Sequence, residues 1–133
     1  MALIHDMAEL LVGDLTPRDN VPKPEKAERE VDTMEYITSS LLGCVPGGLQ
    51  SGEEMLELFQ EYEANTTIEA QFVHDIDKME MLLQNVEYER RYGVDLTEFY
   101  HVFDKINLPE IKEWASIVIR ERKDLKGAAV NGI

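Results

Sequence analysis

His5 and Asp6 are adjacent, Glu9 follows about one helical turn later, and Asp14 stands just past Gly13. The rest of Met1 to Leu15 is built almost entirely from Met, Ala, Leu, Ile and Val. An imidazole and carboxylates are costly to bury beside so much aliphatic surface unless something compensates them, and a divalent cation would do so. On a helix, His5 and Glu9 are i,i+4 and Asp6 and Glu9 are i,i+3, so Glu9 shares a face with both. His5 and Asp6 themselves project about 100° apart. Both can still reach an ion beside the helix, because imidazole is long and carboxylate short. The competing reading is a histidine at a helix end beside solvated acids. Leu3, Ile4, Leu10 and Leu11 leave little solvated face for it.

A metal site needs a further ligand from elsewhere. Phe72 to Met81 reads F-V-H-D-I-D-K-M-E-M. In helical projection Phe72, Ile76, Met79 and Leu83 line one side, and Ala70, Val73, Asp77 and Met81 the other. A helix apolar on two sides is expected to be buried, which makes Asp77 a carboxylate in a buried stripe. Such a group binds metal or pairs with a Lys or Arg, and spacing alone leaves the two readings level. The second His-Asp dipeptide, His74 and Asp75, competes with it and is expected to be partly exposed. His101, beside Tyr100, reads as a surface or packing histidine. Asp75-Ile76-Asp77 lacks the third acid and the glycine of a calcium loop. One imidazole with several carboxylates suits Mn²⁺, Co²⁺, Mg²⁺, Fe²⁺ or a catalytic Zn²⁺ and not a structural zinc. An ion of that kind with an open position lowers the pKa of water toward ~7, which points to hydrolysis.

These residues must be positioned by helices, since apolar spacing is helical nearly throughout and strand signals are scarce. The spacing predicts a first helix to about Val12, stopped by Gly13, and a Pro-rich loop over Asp14 to Pro24. A second helix is expected from about Pro24 to Leu42, with a stripe of Val31, Met34, Ile37 and Leu41 and an i,i+4 pair of Lys26 with Glu30. Ser51-x-x-Glu54 reads as a capping box opening a third helix that carries Met55, Leu58, Phe59 and Tyr62. Thr66-x-x-Glu69 repeats the signal before a fourth, roughly Ile68 to Tyr88. A short helix is expected at Leu96 to Phe103. Pro109 sits near the start of a last helix, with Ile111, Trp114, Ala115 and Val118 on its buried face. The expected organisation is one all-α domain over residues 1–123 and a frayed tail over 124–133.

The totals narrow the partners. The 133 residues carry 13 Lys and Arg against 27 Asp and Glu, a net charge of −14. That balance argues against a nucleic-acid polymer and against an anionic membrane. An anionic small molecule remains open to it if a bound metal inverts the local field. The single cysteine, Cys44, allows no intrachain disulfide and no cysteine-cluster metal site. A reducing intracellular compartment, cytoplasmic or nuclear, is the corresponding expectation. No apolar run approaches the ~20 residues of a membrane span, and no signal peptide is expected.

The segment H-D-M-A-E-L-L-V-G-D-L-T-P (His5 to Pro17) resembles the second metal motif of the HD-domain phosphohydrolases. The similarity is closest to the small HD-domain 5′-deoxynucleotidases of eukaryotes. It continues through P-K-P-E-K-A-E-R-E (Pro22 to Glu30), E-L-F-Q-E-Y-E (Glu57 to Glu63) and E-A-Q-F-V-H-D-I-D-K-M-E-M (Glu69 to Met81), and returns weakly at N-L-P-E-I (Asn107 to Ile111). The resemblance implies an all-α HD-domain bundle and metal-dependent hydrolysis of deoxynucleoside 5′-monophosphates. It implies His5, Asp6 and Asp77 as metal ligands. Glu9 and Asp14 match acids tied to catalysis, to recognition of the substrate sugar, or to a second cation that the backbone at Leu15 can join. It also implies a homodimer. The chain departs from the family pattern at its start: the family's first metal-ligand histidine lies on an earlier helix, and only four residues precede His5. The expectation is therefore an HD domain lacking its first helices. Two other outcomes go with that: an impaired remnant serving as a helical interaction module, or an HD hydrolase of another phosphate ester.

Overall fold

A computed structural model of the chain describes residues 1–131. The backbone forms helices and turns, with no strand among the described residues. It gathers into two compact units, Met1–Ala70 and a second from Gln71 onward.

In the first unit, residues 1–8 do not form the regular helix that the spacing predicts. They run as successive tight turns, with Ile4 N–H to Met1 O at 2.8 Å, Met7 to Ile4 at 3.0 Å and Glu9 to Asp6 at 3.0 Å. Only α1, Glu9–Val12, is α-helical, and Ala8 at its N-cap offers no side-chain acceptor. Pro17–Asp19 is a single 3₁₀ turn closed by a capping box between Thr16 and Asp19. Helix α2, Lys23–Glu35, has proline in its first turn, where the missing N–H costs nothing. The pairs Lys26–Glu30 and Arg29–Glu25 lie along its side. The predicted helix to Leu42 does not stay regular. It widens to a π-helical stretch over Tyr36–Leu41 and tightens to 3₁₀ over Leu42–Cys44.

Helix α3, Gly48–Ala64, starts a turn before the predicted Ser51 box. The reason is packing: a Cβ on Gly52 would lie 2.1 Å from the Thr38 carbonyl oxygen, and one on Gly48 would lie 1.8 Å from that of Leu42. The two glycines let α3 press its backbone against the π-helical stretch at Thr38 and against the 3₁₀ turn at Leu42. The core of this unit is Ala8, Met34, Ile37 and Phe59, with Ile4, Met7 and Leu56 packed on it. Of the stripe predicted on α2, Met34 and Ile37 are buried while Val31 and Leu41 are exposed.

Helix α4 runs Ile68–Tyr92. Thr67, and not the predicted Thr66, caps it by accepting the Ala70 N–H at 3.2 Å. A 3₁₀ helix spans Thr97–Lys105, and α5 runs Pro109–Asn131. The segment expected to fray from Asp124 is therefore helical through Asn131, and residues 132–133 lie outside the described residues. Leu82 and Val86 of α4, Val102 and Ile106 of the 3₁₀ segment, and Ile111, Ala115 and Val118 of α5 form the core of the second unit. Trp114, expected on that buried face, is about half exposed. Phe72 and Leu83 are likewise exposed, so α4 is not buried on two sides as its projection predicts.

The second unit is braced by ion pairs. Glu89, with its side chain only 7% exposed, accepts two hydrogen bonds from Arg122, at 2.7 and 2.8 Å. The Arg122 guanidinium also lies 3.7 Å over the Tyr100 ring. Arg122 holds the Glu89 carboxyl down at about 2 against the opposing effect of burial. Burial and the Glu89 charge push the Tyr100 phenol up to about 12.

Candidate metal and acid–base site

The turns before α1 set the histidine. His5 Nδ1 lies 2.8 Å from the Ala2 carbonyl oxygen. A carbonyl can only accept, so Nδ1 carries the proton in that bond. In the neutral ring Nε2 then presents a lone pair, and it lies 3.0 Å from Asp6 Oδ2. An imidazole nitrogen beside a carboxylate oxygen, with the opposite ring nitrogen donated to a backbone carbonyl, is an arrangement that metal-ligating histidines use. The His5 side chain is mostly shielded and that of Asp6 is open to solvent. Tyr62 of α3, itself buried, tilts against the imidazole with ring centroids 5.0 Å apart. Sequence reasoning missed Tyr62 as a neighbour of the histidine. Its only signal is membership in the E-L-F-Q-E-Y-E stretch.

Glu9, at the start of α1, is half-buried. Its carboxyl is pushed above the usual range, first by burial and then by the negative charges of Asp6 and Asp14. Lys26 opposes the rise, and Glu30 adds to it. A carboxyl that holds its proton more readily than usual is a candidate for general acid–base work. Asp14 is exposed in the loop that follows Gly13, whose positive φ of 84° turns the chain there. The next residue, Leu15, has its carbonyl oxygen 3.2 Å from Lys26 Nζ. Five of the six predicted site residues, His5, Asp6, Glu9, Asp14 and Leu15, lie in the first unit, and Asp6 and Asp14 are near enough to Glu9 to raise its carboxyl.

Asp77 belongs to the second unit, on α4. The burial predicted for it falls instead on its neighbour. Asp75 is 1% exposed, while Asp77 is exposed. The exchange has a clear cause. Asp75 Oδ2 accepts the backbone N–H groups of Asn107 and Leu108, at 2.9 and 2.7 Å, and so caps the N-terminus of α5 from α4. Its other oxygen meets Lys78 Nζ at 3.1 Å. Burial pushes its carboxyl up, but the two amides and Lys78 outweigh that and hold it low. Asp75 is therefore occupied structurally, which removes the competitor to Asp77. His74 is partly buried, and His101 is exposed with Nδ1 2.8 Å from the Glu98 carbonyl, as expected of a surface histidine.

Comparison with known proteins adds to this geometry. The HD domain family matches residues 1–115. The chain is 45% identical over 126 residues to 5′-deoxynucleotidase hdd1 of Schizosaccharomyces pombe, covering 92% of this chain and 62% of that protein. It is 39% identical over 125 residues to 5′-deoxynucleotidase YGK1 of Saccharomyces cerevisiae, covering 92% and 57%. It is 42% identical over 134 residues to human 5′-deoxynucleotidase HDDC2, covering 98% and 63%. The chain thus spans about three-fifths of the length of these relatives.

Proposed function

The chain belongs to the HD-domain family, and from that premise we propose that it acts as a metal-dependent phosphohydrolase removing phosphate from deoxynucleoside 5′-monophosphates. The observation that carries the reading is His5, whose Nδ1 is committed to the Ala2 carbonyl while Nε2 faces the Asp6 carboxylate. The relatives named 5′-deoxynucleotidase support the substrate class.

His5, Asp6 and Asp77 would hold the ion, offering one imidazole nitrogen and two carboxylate oxygens. That hard, mixed donor set suits Mn²⁺, Co²⁺, Mg²⁺, Fe²⁺ or a catalytic Zn²⁺. When bound, the cation supplies Lewis acidity toward phosphate oxygens and offsets the surrounding negative charge. Glu9 takes the proton of the attacking water and returns it to the leaving 5′-oxygen, so that one P–O bond forms as the other breaks. Asp14 recognises the sugar or, with Glu9 and the Leu15 carbonyl, holds a second cation. The substrate is a small nucleotide. The net charge of −14 disfavours a nucleic-acid polymer or an anionic membrane as partner. Two copies pair as a homodimer, as the family resemblance implies.

The test is metal content and phosphate release. Chain purified in Mn²⁺ or Co²⁺ should retain the ion by elemental analysis and release phosphate from deoxynucleoside monophosphates faster than from ribonucleotides. Asp77→Ala should lose both the ion and the turnover. A wild-type chain that retains no ion and releases no phosphate would sink the reading. Release only from other esters would move it to a different phosphohydrolase substrate.

A further inference from the structure

Lys26 was read in the sequence only as half of a helical ion pair, yet it reaches the candidate site. Its Nζ donates to the Leu15 carbonyl oxygen at 3.2 Å and lies 3.5 Å from Glu30 Oε1. The Lys26 side chain is two-thirds shielded and that of Glu30 more so. Leu15 follows directly on Asp14, and neither residue belongs to a helix. The loop is otherwise held at its edges. Gly13 N–H bonds to Glu9 O at 2.9 Å, and Thr16 N–H to the Asp19 carboxylate at 2.7 Å. Between those points the Lys26 hydrogen bond ties Leu15 to α2. The same ammonium brings positive charge to a place where Asp6, Glu9, Asp14 and Glu30 all bring negative charge, and Glu9 feels the field of each.

We propose that Lys26 is a positioning residue of the proposed hydrolytic site: a built-in cation that anchors the Asp14–Leu15 loop by its carbonyl and neutralises the acids gathered around it. The role follows from chemistry that no neutral side chain can supply. A long aliphatic stem spans from α2 to the loop, and a point charge with three donors serves a carbonyl and a carboxylate together. Without it the centre of the loop would face uncompensated carboxylates, and the end contacts at Gly13 and Thr16 would open more often. The Asp14 carboxylate would then move away from Glu9 by repulsion. A divalent ion entering the same cluster would replace the lost charge.

The inference rests on the hydrolase reading for its consequence but not for its test. Hydrogen exchange of the Gly13 and Thr16 amides can be followed in the nucleotide-free chain, where turnover plays no part. Lys26→Met should speed exchange at both amides by about tenfold or more, while Lys26→Arg stays near wild type. Millimolar MgCl₂ should slow exchange in Lys26→Met more than NaCl of equal ionic strength, an effect that a purely space-filling role would not produce. If Lys26→Met does not fold by circular dichroism, Lys26→Gln, which keeps a donor but removes the charge, replaces it. Unchanged exchange in the uncharged variant, or equal effects of the two salts, overturns the proposal. Because the readout is the loop itself, an inactive wild-type chain would defeat the hydrolase reading and leave this result standing.

Discussion

At the scale of single residues, Glu9 and Asp75 show how environment separates two carboxylates of similar sequence context. Glu9 follows one His-Asp dipeptide and Asp75 belongs to the other. Asp75 is given two amide N–H groups and a lysine, and its charge is secured for structure. Glu9 is given burial and like charges, and its carboxyl is raised. A raised carboxyl pKa means that the fold binds the proton more tightly than the unfolded chain does, so this group destabilises when ionised. Its contribution becomes more favourable as pH falls through the raised value. Glu9→Gln is therefore expected to leave the melting temperature at neutral pH equal to or above wild type. The same change should cut phosphate release by about 10²-fold or more through loss of proton transfer. Paired thermal melts and phosphate assays check it, and a variant that lost stability together with activity would contradict the assignment. The His5–Asp6 pair was legible from adjacency alone. The choice between Asp75 and Asp77 was not, because helical projection cannot know that the end of a later helix comes to rest on one of them.

Among the elements, the π-helical stretch Tyr36–Leu41 and α3 are matched through glycines. The apolar stripe on α2 was readable as helix, but its widening was not, since the cause lies in the partner. Thr38 is buried, and its hydroxyl turns back to the Met34 carbonyl at 2.8 Å. The Thr38 carbonyl is approached by Gly52 so closely that a methyl would stand 2.1 Å away. Gly52→Ala should consequently destabilise by about 3 kcal/mol, because the obstacle is the Thr38 backbone, which cannot rotate aside. Urea unfolding would measure it. A variant as stable as wild type or more so, as the gain of about 1 kcal/mol from helix propensity alone would give, would mean that the approach is looser than described. The first segment illustrates the converse. Its apolar residues suggest a helix, but tight turns replace it up to α1, and those turns place the Ala2 carbonyl against His5 Nδ1. A regular i,i+4 ladder was the sequence expectation, and the departure from it sets the imidazole.

For the whole molecule, Glu9 of the first unit and Glu89 and Asp75 of the second respond to pH with opposite sign. In the second unit Glu89 is held at about 2 by Arg122, and Asp75 is held below its usual value. Both contribute stability that is present above the ordinary carboxyl range. For Glu89 it is lost as pH falls from about 4.5 toward about 2. The fluorescence of Trp114, the single tryptophan and a residue of α5, reports this unit. Its urea midpoint should fall steadily below pH 5. Glu89→Gln should lower the neutral-pH stability by about 3 kcal/mol, the cost of leaving Arg122 without its carboxylate, and should flatten the acid limb. A midpoint indifferent to pH between 5 and 3 would show that the pair contributes nothing to folding. No helix among the described residues is long and apolar enough to cross a membrane.

Residue order alone determined the helical class, the family, and the set of groups able to bind a cation. Each of these depends on short-range spacing: apolar periodicity, an adjacent imidazole and carboxylate, and glycines and prolines at the ends of segments. Tertiary structure decided which carboxylate is spent on a helix end, which threonine caps, where a helix swells to admit a neighbour, and that Lys26 reaches Leu15 from eleven positions away. Those outcomes depend on backbone polar groups and charges meeting across long stretches of chain. Their energies are set by burial and by partners that no local pattern encodes.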